Sequence, residues 1–137
     1  MSRQDEVLDQ MAYLVDELEA QQVVLGLIPD VLWDARPPGS TTLREMYRAM
    51  ASREADEHRT ALGLEPVEFP SSDTPADLLR QVGALRKRTL QELRATALDS
   101  ERLDVCYRIT QADAAQLREV GLRLNEAAMG APRVSKM

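Results

Sequence analysis

Glu54 and His58 stand four residues apart, the spacing that sets a carboxylate and an imidazole on one helix face. Two metal ligands could share that spacing. A di-iron bundle site, however, uses Glu-x-x-His, and residue 55, three before His58, is alanine. We read the pair as a side-chain pair on the helix surface. His58 is the only histidine, which excludes every multi-histidine metal site. A Ser-His-Asp triad would have to use it, and no serine spacing supports one. Cys106 is the only cysteine, which excludes an intramolecular disulfide and a Cys-rich zinc site. It lies between Val105 and Tyr107 with no Cys-x-x-Cys partner, so we read it as a buried structural thiol rather than a nucleophile. Arg86-Lys87-Arg88, with Arg80 and Arg94, forms a basic cluster, although consecutive helical residues fan out by about 100° each. Residues 1–30 carry seven acids and one arginine, and residues 80–94 five bases and one acid. Such charges can pair across a bundle or a dimer interface; solvated faces of unlike sign are the simpler reading, and we adopt it.

The elements that must position these groups are helical. The chain has 137 residues, which fits one domain, residues 1–137. Hydrophobic residues make up 44% and charged residues 29%, a soluble globular balance. Aromatics at 4% exclude a base-stacking platform, and a net charge of −6 argues against nucleic acid and anionic membranes. No glycine-rich phosphate loop is present. No apolar run approaches the ~20 residues of a membrane span, and the polar start Met1–Glu6 is no signal peptide. The expectation is a cytoplasmic protein.

Apolar residues Val7, Met11, Leu14, Leu18, Leu25 and Ile28 recur at helical spacing and predict a first helix over Arg3–Ile28, closed by Pro29. A loop, Pro29–Ser40, follows, with Trp33 covering the bundle end and Pro37-Pro38-Gly39 near its close. The second helix starts at Thr42, where Thr42 and Glu45 form a capping box. Its stripe is Leu43, Met46, Tyr47, Met50 and Leu62, and Gly63 stops it. The connection Gly63–Asp73, with Pro66, Pro70, Ser71 and Ser72, is long enough for a crossover along the bundle. The third helix opens at Thr74-Pro75 and turns Leu78, Val82, Leu85 and Leu93 inward. Ala97–Ile109 reads as irregular. The fourth helix is expected to start at Thr110, capped with Asp113, with Leu117, Val120, Leu124 and Ala128 as its stripe. Gly130–Met137 reads as a frayed tail. Met11, Met46, Met50 and Met129 read as core filler. Four helices predict an all-α, four-helix bundle.

The stretch Val24-Leu25-Gly26-Leu27-Ile28-Pro29-Asp30-Val31-Leu32-Trp33, continuing through Pro37-Pro38-Gly39-Ser40-Thr41-Thr42-Leu43-Arg44-Glu45-Met46, resembles the DinB/YfiT family. Helix order and the long second connection agree along most of the chain, although Thr41 replaces the tryptophan usual before the cap. The resemblance implies an up-down-down-up bundle, frequent homodimers, and a divalent metal held by three histidines. It implies thiol-dependent S-transferase, isomerase or hydrolase activity in some members. The implied ligand positions fall here on Ala49 and on Ala112 and Gln116, or on Gln111 and Ala115 with a slip of one. None is histidine. His58 follows Ala49 by nine residues, about 13 Å along an unbroken α-helix and on its opposite side.

The expectation is therefore a bundle that binds no metal and no other cofactor. What remains near Ala49, Met50, Ala112 and Gln116 is a small pocket, filled by side chains or open to a ligand. No catalytic residue is assigned. Such a chain acts as a non-catalytic binding or interaction protein, in a stress or DNA-damage response as the resemblance suggests. Its partner is a second copy, another protein or a small apolar ligand, and neither nucleic acid nor membrane. The alternative is a DinB-type S-transferase or metal-dependent hydrolase that recruits metal through Glu54, Asp113 or Gln116.

Overall fold

A computed structural model describes residues 2–34, 41–68 and 74–135, the last eight by backbone alone. Pro37-Pro38-Gly39, Pro70-Ser71-Ser72 and the side chains of Ala128 and Met129 lie outside the described residues. The described residues form four main helices and no strand.

Helix α1 spans Arg3–Leu25, with the Ser2 hydroxyl accepting from the Asp5 amide at its start. It ends before Ile28; Gly26 and Leu27 turn the chain into a single 3-10 turn, Asp30–Leu32. Helix α2 begins as Leu43–Ser52, passes through a π turn at Arg53–Glu57, and ends as an α-helical turn at His58–Ala61. Its capping box is complete: Thr42 accepts from the Glu45 amide at 3.0 Å, and the Glu45 carboxylate accepts from the Thr42 amide at 3.4 Å. The π turn has a cause in the burial pattern. Leu43, Tyr47, Ala51, Ala55 and Arg59 are all buried at strict four-residue spacing. In an α-helix such a row drifts by about 40° per step. A turn with i→i+5 bonds absorbs an extra residue and restores the row to the interior.

Gly63 ends α2 with φ of 77°, and a Cβ there would stand 2.8 Å from the Arg102 guanidinium. Helix α3, Pro75–Arg94, starts from Thr74 with proline in its first turn. Leu85 is only half-buried; the neighbouring position that enters the core is Arg86.

Helix α4 spans Ser100–Ser135 and corrects the sequence reading at both ends. Its start lies ten residues before Thr110, because Asp99 accepts from the Arg102 amide at 2.8 Å and so caps it. Leu103, Cys106 and Ile109, three apart, are buried and carry the inward face of this added segment. Thr110 is no cap: its hydroxyl donates to the Cys106 carbonyl within the helix. The helix also continues through the segment 130–135 that reads as a tail.

Contacts fix the helix directions. Arg3 pairs with Asp104, so α1 and α4 start at the same end. Arg94 pairs with Asp9 and Tyr47 bonds Gln21, so α3 and α2 run against α1. Two neighbouring helices that run the same way need a long connection, and residues 62–74 supply it. One apolar cluster fills the end built from Leu14–Ile28, Leu43–Ala51, Leu78–Val82 and Val120–Leu124, with Trp33 packed against it. A second fills the opposite end around Leu8, Met11, Leu62, Leu93 and Cys106. No described helix is long and apolar enough to cross a membrane.

Replacing Asp99 with alanine removes the α4 cap and is expected to cost about 1 kcal/mol. Denaturant unfolding followed by circular dichroism measures it; an unchanged midpoint contradicts the cap.

Candidate functional site

Between the two apolar clusters lies a charged layer. Arg86 on α3 has no exposed surface, and Glu54 in the π turn is 1% exposed. The Arg86 guanidinium donates to Glu54 from Nε at 2.8 Å and from Nη2 at 2.9 Å. It donates to Asp113 on α4 from Nη1 at 2.8 Å and Nη2 at 3.2 Å. Its last N–H goes to the Met11 carbonyl on α1 at 2.9 Å. All five donors are used, and the one side chain touches all four helices. His58 extends the network toward solvent, its Nδ1 2.8 Å from Glu54 Oε1.

The electrostatics follow from burial and pairing. Burial pushes the Glu54 carboxyl up, but the His58 hydrogen bond and the Arg86 cation outweigh it and hold the value at about 2. For Asp113 burial wins over the Arg86 hydrogen bond, and the carboxyl lies above its ordinary range. Burial would lower Arg86, but its two carboxylates hold it above the ordinary arginine value. Cys106 is buried, and burial raises its thiol, the wrong direction for a nucleophile.

These placements correct the sequence reading. Glu54 and His58 do form a pair, but inside the bundle rather than on its surface. Arg86 is no solvated member of a basic cluster; Lys87 and Arg88 remain exposed while Arg86 turns inward. Asp113 is an ion-pair partner instead of a cap. The estimate that His58 points away from the Ala49 side assumed an unbroken α-helix, and the π turn lies between them. A signal was present. Val82, Arg86, Leu90 and Leu93 fall on one stripe, as do Ile109, Asp113, Leu117 and Val120. An arginine and an aspartate thus occupy core positions on different helices.

A second clamp joins α2 and α3. Arg59, 1% exposed, pairs with Glu92 at 2.7 Å, donates to the Thr89 hydroxyl and also reaches the Glu65 carbonyl. The Val67 amide donates to the Ala55 carbonyl, so the connection after α2 folds back along the π turn.

This layer is built to hold helices. A guanidinium with every donor occupied has none left for a substrate anion. His58 has the Nδ1–carboxylate geometry of an oriented base, yet among the described residues no hydroxyl or thiol bonds its other nitrogen. Of the four positions of the expected pocket, Met50 is buried in the core, Ala49 and Gln116 are half-buried, and Ala112 is exposed, as are Gln111 and Ala115. Ala49 and Ala112 carry no donor atom and Gln116 only a neutral amide, so these residues do not fit a divalent cation. Among the described residues no group of three or more His, Cys, Asp or Glu side chains could hold one.

Among the described residues, open grooves lie on the outside. A groove of about 390 Å³ runs between α1 and α4, lined by Glu17, Val24, Leu117, Arg118, Gly121 and Leu122 among others. A smaller one of about 200 Å³ runs between α1 and α3 past Gly83. No protein-family model, curated protein or solved structure matches the chain.

Arg86→Met strands two buried carboxylates and is expected to cost about 3–5 kcal/mol; the triple change Glu54→Met, Arg86→Met, Asp113→Leu recovers most of that loss. Equal losses in the two proteins contradict the ion cluster. The pH dependence has a defined sign. Glu54 lies below its ordinary 4.5, so its contribution is complete above that pH and is lost as pH falls through about 2. Asp113 works the other way, its contribution present in acid and lost as pH rises through its raised value. Unfolding free energy is expected to fall from pH 4.5 toward 2, and Glu54→Gln to flatten that fall. A wild-type profile that is flat there contradicts the assignment.

Proposed function

We propose that this protein is a non-catalytic, cytoplasmic interaction protein of DinB-like architecture that uses the outer face of α1 and α4. The observation that carries the reading is the exposure of that face. Tyr13 is 65% exposed, Leu122 60% and Tyr107 51%. Val23, Leu27 and Val31 continue exposed apolar surface along the end of α1 and the turn beyond it. Exposed apolar side chains beside an open groove mark a binding surface, whereas the Arg86 guanidinium has all five of its donors already matched to acceptors. The DinB-like reading is supported by the complete capping box at Thr42 and by the long connection between two helices of like direction.

The resident chemistry of that architecture is not carried over. Ala49, Ala112 and Gln116 lack the ligands for it. The face on α1 and α4 takes a protein or a small apolar ligand through side-chain burial, with no bond made or broken.

Mass spectrometry of protein purified without an affinity tag is expected to find no stoichiometric metal. Added Zn²⁺, Ni²⁺ or Mn²⁺ should leave the melting temperature unchanged, because an ion that does not bind the native state cannot stabilise it. Stoichiometric metal, or an upward melting shift that Glu54→Gln or Gln116→Ala removes, overturns the reading in favour of a metal-dependent enzyme.

A further inference from the structure

The geometry points to a carboxylate with an apolar body, an aliphatic or aryl carboxylic acid, as the ligand of the α1–α4 groove. The inference rests on the reading of this face as a binding surface and names the chemistry it takes. The groove holds about 390 Å³, and Val24, Leu117, Leu122 and Leu124 give it apolar walls. Such walls suit a hydrocarbon or aromatic body, and a few polar groups then fix its orientation.

The polar group that decides the ligand is on the floor. Gln21 lines the groove and is only 9% exposed. Its Oε1 accepts from the Tyr47 hydroxyl at 3.0 Å, so the acceptor end of the amide is committed to the fold. Its NH2 group donates to nothing among the described residues. Trp33 Nε1 and Gln81 Oε1 are the unpartnered polar atoms sealed from solvent there; Gln21 Nε2 is not one of them and stays open to the groove. A nearly buried amide donor therefore waits for an oxygen, from solvent or from a ligand.

Arg118 stands on the rim, exposed and without an ion-pair partner among the described residues. An amide donor below and a guanidinium above select an ionised oxygen over a hydroxyl, because charge-assisted hydrogen bonds are the stronger ones. Glu17 on the same rim opposes an anion and tempers its affinity. It does not reverse the preference, since the free end of Gln21 offers a cation nothing.

Gly121 is an independent sign. It lies inside α4 and lines the same groove. A glycine inside a helix costs stability relative to alanine. Packing does not require it here, because a Cβ would meet nothing within 4 Å. The missing side chain keeps the groove open at the expense of the helix.

Octanoate titrated into the full chain, with octanol as its uncharged counterpart, tests this by displacement of the dye anilinonaphthalene sulfonate. Octanoate is expected to bind about tenfold tighter than octanol. Arg118→Gln should weaken octanoate about tenfold and leave octanol unchanged. Gln21→Glu keeps an oxygen for the Tyr47 hydroxyl but removes the donor, and should weaken octanoate at least as much. Glu17→Gln should tighten it. Gly121→Leu fills the groove and removes a helix glycine, so it should abolish binding of both probes while raising the melting temperature. Circular dichroism confirms that each variant is folded. Octanoate no tighter than octanol, or binding that survives Gly121→Leu, overturns the carboxylate site. If dye uptake is still lost in Leu122→Asp, the binding surface itself stands. A chain that takes up neither dye, octanoate nor octanol overturns both.

Discussion

One guanidinium decides how the four helices meet. Arg86 sits at the middle of the bundle with no surface exposed, bound to carboxylates on α2 and α4 and to a carbonyl on α1. A buried cation is tolerable only when its charge and all its donors are matched. That requirement constrains each helix in depth and rotation at once. α2 must present Glu54, which the π turn brings inside. α4 must present Asp113, and α1 must stop at a height where the Met11 carbonyl faces inward. The apolar clusters above and below supply most of the burial but are less particular about register. The polar layer fixes the alignment, in the way a buried polar residue sets register in a coiled coil.

Local chemistry was legible from the residues; the charged layer showed only as Arg86 and Asp113 standing on apolar stripes of two separate helices. Thr42 with Glu45 and Thr74 with Pro75 mark helix starts because capping needs only neighbours in sequence. Gly63 marks a stop for the same reason. The start of α4 escaped because Leu103, Cys106 and Ile109 are separated by Asp104, Tyr107 and Arg108, which hide the stripe, although Asp99 caps it as a local signal would. Glu54, Arg86 and Asp113 escaped for a deeper reason. Each alone is a charge, and a charge is read as surface. Only their mutual neutralisation across three helices makes them interior, and that is a fact of tertiary structure. The candidate positions Ala49, Ala112 and Gln116 came from a resemblance, with Met50 as their neighbour, and the residues there offer no ligand set of their own.

The arrangement separates stability from recognition. Inside, all five donors of Arg86 are consumed in holding helices together, and Arg59 clamps α2 to α3 through Thr89 and Glu92. Outside, α1 and α4 keep aromatic and aliphatic side chains in water beside a groove with one acid and one base on its walls. On the proposed reading, that surface is where a partner or apolar ligand is bound, by burial of these side chains.

The most direct test of this separation is hydroxyl-radical footprinting with and without the apolar dye anilinonaphthalene sulfonate, with oxidation read residue by residue. The account predicts that Tyr13, Tyr107 and Leu122 become protected together when the dye is added, while exposed residues of α2 and α3 keep their reactivity. Oxidation of those three side chains that the dye leaves unchanged, or protection centred on α2 and α3, contradicts it.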